Sequence, residues 1–211
     1  MIALVDYGAG NLTSVRKALG AIGASFWTPA APSEIADAAA VVVPGVGHFS
    51  ATAALDEPWR DAIRRALAGG RPLLGICVGL QWLFDGSTEA PDVPGLGVVA
   101  GTCRHLGDRD PDARTDAGAD GLKIPHVGWN DLTFPRPTRL FDGLADGTQV
   151  YFTHSFAAPV VAATAAVTTY GVAFSAAVED GLVSGVQFHP EKSGDAGLRI
   201  LRNWAADTGR R

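Results

Sequence analysis

Two hydrophobic rhythms divide the chain. Up to residue 95 or so, short apolar runs at residues 2–5, 25–28, 41–43 and 73–76 alternate with stretches at 12–22, 59–67 and 80–84 whose apolar positions recur at helical spacing. The runs show no polar alternation, as strands buried on both faces of a parallel sheet require. The pattern predicts β-α-β units and a three-layer α/β sandwich with a mainly parallel central sheet. Beyond residue 95 the helical stripes thin out. Candidate strands at 97–100, 149–153, 161–169, 173–178 and 182–188 predict an antiparallel extension of the same sheet in the C-terminal half. A helix over 196–206, with Leu198, Leu201 and Trp204 as its stripe, closes the pattern.

Composition narrows the class. With 47% hydrophobic and 18% charged residues, the chain of 211 residues can bury a core as one domain, residues 1–211. Its 17 basic and 22 acidic residues leave a net charge of −5, so no nucleic-acid partner is expected. No apolar run approaches the roughly 18 residues of a membrane span, and the first residues lack the basic segment of a signal peptide. Neither a membrane association nor export is expected, and a cytoplasmic location follows. Cys77 and Cys103 are the only thiols, too few for a disulfide framework. Residues 104–123 are polar and read as a solvated loop. Asp108, Asp110 and Asp112 imitate the start of a calcium loop, but Ala113 and Ala119 stand where the turn glycine and the bidentate carboxylate belong.

The strongest chemical signal is Gly75-Ile76-Cys77-Val78-Gly79, which joins an apolar strand to an apolar helix. A nucleophile on such an elbow needs small neighbours and projects from the carboxyl edge of the sheet, with the helix start favouring the thiolate. A buried structural cysteine is the plainer alternative, and it suits Cys103. A thiolate needs a base. Of five histidines, His189 follows a strand and precedes Pro190, which keeps it extended, and Glu191 then falls on the same side about 6.5 Å away. Cys77, His189 and Glu191 thus compose a nucleophile, base and orienter. Zinc chemistry would want a P-C-x-x-C partner for the H-x-E, and none occurs, so no metal is expected.

Pro44-Gly45-Val46-Gly47 ends another strand; the backbone of Val46 and Gly47, with the N–H of Val78, could meet an oxyanion, though a plain turn fits as well. Asp6 to Asn11 occupies the place of a dinucleotide loop, but Thr13 stands where the third glycine should be, and no phosphate-cradling G-x-x-x-x-G-K-[ST] occurs. Cofactor-free chemistry is expected.

These residues together resemble the class I glutamine amidotransferases. The finer blocks D-Y-G-x-G-N from Asp6, P-G-V-G-H-F from Pro44, P-H-x-G-W-N from Pro125, Y-F-T-H-S from Tyr151 and Q-F-H-P-E-K-S from Gln187 are similar to the glutaminase subunits of imidazole glycerol phosphate synthase. The resemblance implies a flavodoxin-like sandwich and hydrolysis of glutamine to glutamate and ammonia. The ammonia would pass, within a heterodimer, to a (βα)8 cyclase partner in histidine biosynthesis. It implies that Cys77 attacks the amide, His189 relays the proton and Glu191 orients His189. Gln81, Glu89 and the Ser155–Phe156 backbone would hold glutamine, with Glu89 facing its ammonium group. Asn11, Trp129, Tyr151 and Lys192 would face the cyclase. Because an oxyanion donor on the Gly-rich loop Pro44 to Gly47 can be misdirected at rest, the chain is expected to be poorly active until the partner and its ribonucleotide bind. The sequence leaves open other amidotransferases, of the vitamin B6, anthranilate or purine pathways, a cysteine peptidase or deglycase, and a non-catalytic binding module.

Overall fold

In the computed structural model of the chain, residues 1–108 and 122–206 are described. The elements are β1 (Ile2–Leu4), α1 (Leu12–Ala21), β2 (Phe26–Trp27), β3 (Ala40–Gly45), α2 (Glu57–Ala68), β4 (Leu73–Cys77), α3 (Val78–Leu83), β5 (Gly86–Ser87) and β6 (Thr102–His105). They continue as β7 (His126–Leu132), β8 (Thr148–His154), β9 (Phe156–Ala157), β10 (Thr164–Tyr170), β11 (Val172–Asp180), β12 (Val183–Val186) and α4 (Gly194–Ala206).

The central sheet runs β10-β11-β12-β4-β3-β1-β2, with β2, β1, β3, β4 and β12 parallel and β11 and β10 antiparallel at one edge. The expected α/β sandwich with an antiparallel extension is present. Every residue of β1, β3 and β4 is buried, which accounts for runs such as Val41-Val42-Val43 that show no alternation. The helices begin and end where the chain supplies partners for their orphan groups. Asn11 accepts from Ser14 N–H to start α1, Asp56 accepts from Trp59 N–H to start α2, and Gly69 closes α2.

Four expectations need correcting. The strand expected at 182–188 in the antiparallel extension forms β12, which pairs parallel with β4 and only with β11 antiparallel. Residues 97–100 form no strand. The N–H groups from Gly95 to Val99 turn back onto the carbonyls of Trp82 to Asp85, satisfying the end of α3, and the positive φ of Gly97 (70°) permits the reversal. The strand expected at 149–153 does not extend the central sheet. As β8 it pairs with β7 in a separate antiparallel ribbon, while β5, β6 and β9 make a third small sheet. The reason lies in the burial pattern of β7 and β8, which alternates and so suits a ribbon with one covered face rather than a sheet interior. The loop expected from residue 104 begins inside β6. Residues 109–121, with Asp110 and Asp112 of the calcium-like triplet, lie outside the described residues. Among the described residues, no helix is long and apolar enough to cross a membrane.

Candidate active site

Because β1, β3, β4 and β12 are parallel, their carboxyl ends bring Asp6, Gly45, Cys77 and Gln187 to the same edge of the sheet, where open α/β sheets bind ligands. Cys77 sits there at φ 54°, the one non-glycine positive φ among the described residues. The strain has a visible frame. A Cβ on Gly79 would lie 1.9 Å from the Val43 carbonyl oxygen, and one on Gly75 would lie 2.5 Å from the Gly79 carbonyl oxygen. Only glycine on both sides lets the strand turn straight into α3, and the turn pushes the thiol outward. β3 continues through Pro44 to Gly45, which pairs with Cys77 and is itself crowded by Tyr7 and Val78.

His189 approaches from the end of β12. Its side chain is 1% exposed and its Nδ1 lies 2.8 Å from Oε1 of Glu191, whose side chain is 2% exposed. The contact forms by a different route from the extended one expected. Pro190–Lys192 is a 3₁₀ turn, started by the fixed φ of Pro190, and it folds Glu191 back onto the ring. Burial alone would push the His189 imidazole down. The nearby Cys77 and the hydrogen-bonded Glu191 more than reverse this and lift it to about 9, while Nε2 of His189 has no hydrogen-bond partner among the described residues. Ser193 braces the backbone: its hydroxyl donates to the His189 carbonyl and accepts from Tyr151 N–H, while His189 N–H donates to the Tyr151 carbonyl.

A cavity of ≈ 250 Å³ opens over Cys77, lined by Val46, Gly47, Val78, Gln81, Glu89, Ser155 and Phe156 together with Pro125, Thr153 and His154. The residues expected at the oxyanion and the substrate thus share one cavity. Gly47, at φ 92°, shapes its rim. Oε2 of Glu89 accepts from Phe49 N–H at 2.8 Å, tying the carboxylate to the segment after Gly47. Gln81 is already committed through its nitrogen, which donates to the Phe156 carbonyl at 2.9 Å and to Oε1 of Gln187 at 3.1 Å. Only its oxygen is left for a ligand.

Three side chains escaped the sequence reading. Gln187, fully buried, donates to Cys77 Sγ at 3.6 Å. Tyr7 presents a buried hydroxyl without a partner, its phenol pushed up by burial and by Cys77. His154 borders the cavity from β8. Period-two alternation along β8 would have placed His154 inward with Val150 and Phe152. Nothing in the sequence marks Tyr7 or Gln187 apart from the motifs that contain them. Cys103 is buried, donates to the Gln81 carbonyl and has its thiol pushed up by burial.

Of the residues expected at a partner surface, Trp129 and Tyr151 face each other across the ribbon, ring centroids 6.1 Å apart, and the Lys192 ammonium lies 5.7 Å from the Tyr151 ring. Trp129 is 55% exposed. Asn11 stands at the start of α1, with its side chain engaged as the helix cap.

The sequence model of the class-I glutamine amidotransferase family matches residues 3–208. Imidazole glycerol phosphate synthase subunit HisH of Thermococcus kodakarensis is 44% identical, over 97% of this chain and 98% of its own. The subunit of the same name from Moorella thermoacetica is 43% identical, over 96% and 93%. A solved glutamine amidotransferase shares the fold, with a TM-score of 0.72 at 20% identity, covering 99% of this chain and 98% of that one.

Proposed function

This chain belongs to the class I glutamine amidotransferases, among the HisH subunits of imidazole glycerol phosphate synthase, and from that premise we propose how its own residues release ammonia from glutamine for a cyclase partner in histidine biosynthesis. The observation that carries the reading is the strained Cys77 elbow beneath a cavity of ≈ 250 Å³, with the His189–Glu191 pair beside it. The Cys77 thiolate attacks the side-chain amide carbon of glutamine. The oxyanion so formed is met by the Val78 N–H and by N–H groups of Val46 and Gly47. His189, protonated at neutral pH because its pKa is lifted to about 9, gives its proton to the departing nitrogen, and ammonia leaves. The neutral ring then takes a proton from water, whose oxygen opens the thioester to glutamate and restores Cys77. Glu191 holds the Nδ1 proton throughout, so Nε2 is the atom that exchanges.

One charge of the substrate finds its complement in the cavity lining. Glu89 faces the α-ammonium, and the Gln81 oxygen and the Ser155–Phe156 backbone fix the rest of the ligand. Trp129, Tyr151, Lys192 and Asn11 meet the partner, a (βα)8 cyclase. Docking there raises turnover by completing the oxyanion donors on the segment that Glu89 tethers through Phe49.

The test is glutamate release by the purified chain, alone and with the cyclase and its ribonucleotide, with Cys77→Ala as control. Release that the partner stimulates and the substitution abolishes is expected. No release in any mixture overturns the reading, and equal rates with and without the partner overturn the gating.

A further inference from the structure

The β7–β8 ribbon contains two buried histidines that this chemistry does not use. Across the ribbon, Nδ1 of His126 lies 3.0 Å from Nε2 of His154. Their protons follow from the end of the run. Nδ1 of His154 is 2.9 Å from the Phe156 carbonyl, which only accepts, so this nitrogen carries the hydrogen. Burial holds both rings neutral, His154 at about 3 and His126 at about 4, with the Phe156 carbonyl opposing the shift at His154, and His126 and His189 adding to it. Nε2 of His154 is therefore an acceptor, and Nδ1 of His126 must donate to it. That leaves Nε2 of His126 as an acceptor for Asn130 Nδ2 at 3.3 Å, a group that also reaches the Thr169 carbonyl at 3.2 Å.

The rings have little freedom to turn. His126 stacks on Tyr170 and Phe152, with centroids 4.0 and 4.8 Å away, and His154 meets Phe174 edge-on at 5.1 Å. Flipping either ring would leave a buried nitrogen without its partner. The run also continues past Phe156. The same carbonyl accepts from Gln81, Gln81 donates to Gln187, and Gln187 donates to Cys77. An unbroken series of hydrogen bonds thus joins the inner face of β7 to the cavity and its cysteine. The outer face of β7 carries Val127 and Trp129, 56% and 55% exposed.

We propose that His126 and His154, both in the Nδ1–H form, are positioning residues that carry docking at the exposed face of the ribbon to the Phe156 carbonyl and Cys77. The inference rests on the reading above of Cys77 as nucleophile and of this face as the cyclase interface. What suits the pair to the task is direction: each neutral ring has one donor and one acceptor, so a shift of β7 is passed on as a shift of the Phe156 carbonyl rather than absorbed.

Two measurements test it. Long-range ¹⁵N–¹H spectra of the histidine rings in the full wild-type chain should show both in the neutral Nδ1–H form at neutral pH, and still unprotonated about one unit below the ordinary histidine pKa. An Nε2–H form in either ring, or titration near the ordinary value, overturns the proposal. The second measurement is partner-stimulated glutamate release in the complex. Asn130→Ala should leave the rate of the chain alone within about twofold and reduce the stimulation by about 3- to 30-fold. His126→Phe should lose the stimulation to a similar extent. His126→Asn, whose amide nitrogen stands where Nδ1 stood, should recover most of it. Full stimulation in both Asn130→Ala and His126→Phe overturns the proposal while glutamine hydrolysis stands. Absence of release from the wild-type complex instead overturns the glutaminase reading, and this proposal with it.

Discussion

His189 at the edge of the sheet and His154 on the ribbon are both nearly inaccessible, 1% and 6% exposed, yet they are opposite in charge preference. One is lifted to about 9 and the other pushed down to about 3. Burial lowers both. What separates them is the company each ring keeps: a carboxylate and a thiol at His189, a carbonyl and a second imidazole at His154. A buried histidine becomes a proton donor only where an anion is buried with it, and otherwise serves as a neutral hydrogen-bond element with a fixed direction.

The contrast can be broken most severely at Glu191. Glu191→Gln leaves His189 with burial and Cys77 alone, so its pKa falls. Turnover of glutamine should drop by about 10²- to 10⁴-fold, and the alkaline limb of the rate profile should move to lower pH. Steady-state rates across pH check both. The next largest effect concerns stability. Gly79→Ala would bring a methyl group within 1.9 Å of the Val43 oxygen, so the elbow must open at a cost of about 3 kcal/mol or more. Gly128 on the ribbon meets nothing within 4 Å, and Gly128→Ala should cost only the strain of its φ of 137°, about 1–3 kcal/mol. Denaturant midpoints would separate the two.

The pH dependence of stability sharpens the comparison. The folded pKa of His189 is raised from 6.5 to about 9, so its contribution is full below pH 6.5 and is lost as pH rises through about 9. The folded values of His126 and His154 are depressed to about 4 and about 3, so their contribution is full above pH 6.5 and is lost as pH falls toward those values. Each ribbon ring adds a slope of at most about 1.4 kcal/mol per pH unit. Resistance to thermal unfolding should therefore fall on both sides of pH 6.5. Glu191→Gln should flatten the alkaline side and His154→Gln the acid side. The smallest effect on the fold is expected from Trp129→Ala. With Trp129 55% exposed, stability should change by no more than about 0.5 kcal/mol, while cyclase binding, read by titration calorimetry, should weaken.

The sheet edge was far more legible in the sequence than the ribbon, for a local reason. Gly75, Cys77 and Gly79 meet within one turn, and His189 and Glu191 within another, so short motifs carry their geometry. The ribbon depends on distant pairing. His126 and His154 are separated by 28 positions, and Gln187 reaches Cys77 across 110. No window of sequence contains such contacts. The extended geometry expected for Glu191 failed for a related reason: Pro190 favours both an extended residue before it and a turn after it, and with His189 N–H held by the Tyr151 carbonyl of β8, Lys192 N–H and Ser193 N–H close the turn on the His189 and Pro190 carbonyls.

The order of apolar runs determined by itself that the chain forms a parallel sheet with strands covered on both faces, because only such strands lack polar alternation. The glycines around Cys77 determined that it stands on an elbow, because no side chain fits beside it. Tertiary structure decided what each histidine is for. His126, His154 and His189 carry the same imidazole in the sequence, and their charge is set by what is buried beside them. It also decided that β8 leaves the central sheet, pairs with β7 and links an exposed tryptophan face to the cavity over Cys77, because strand pairing follows the burial of faces and not the order of residues.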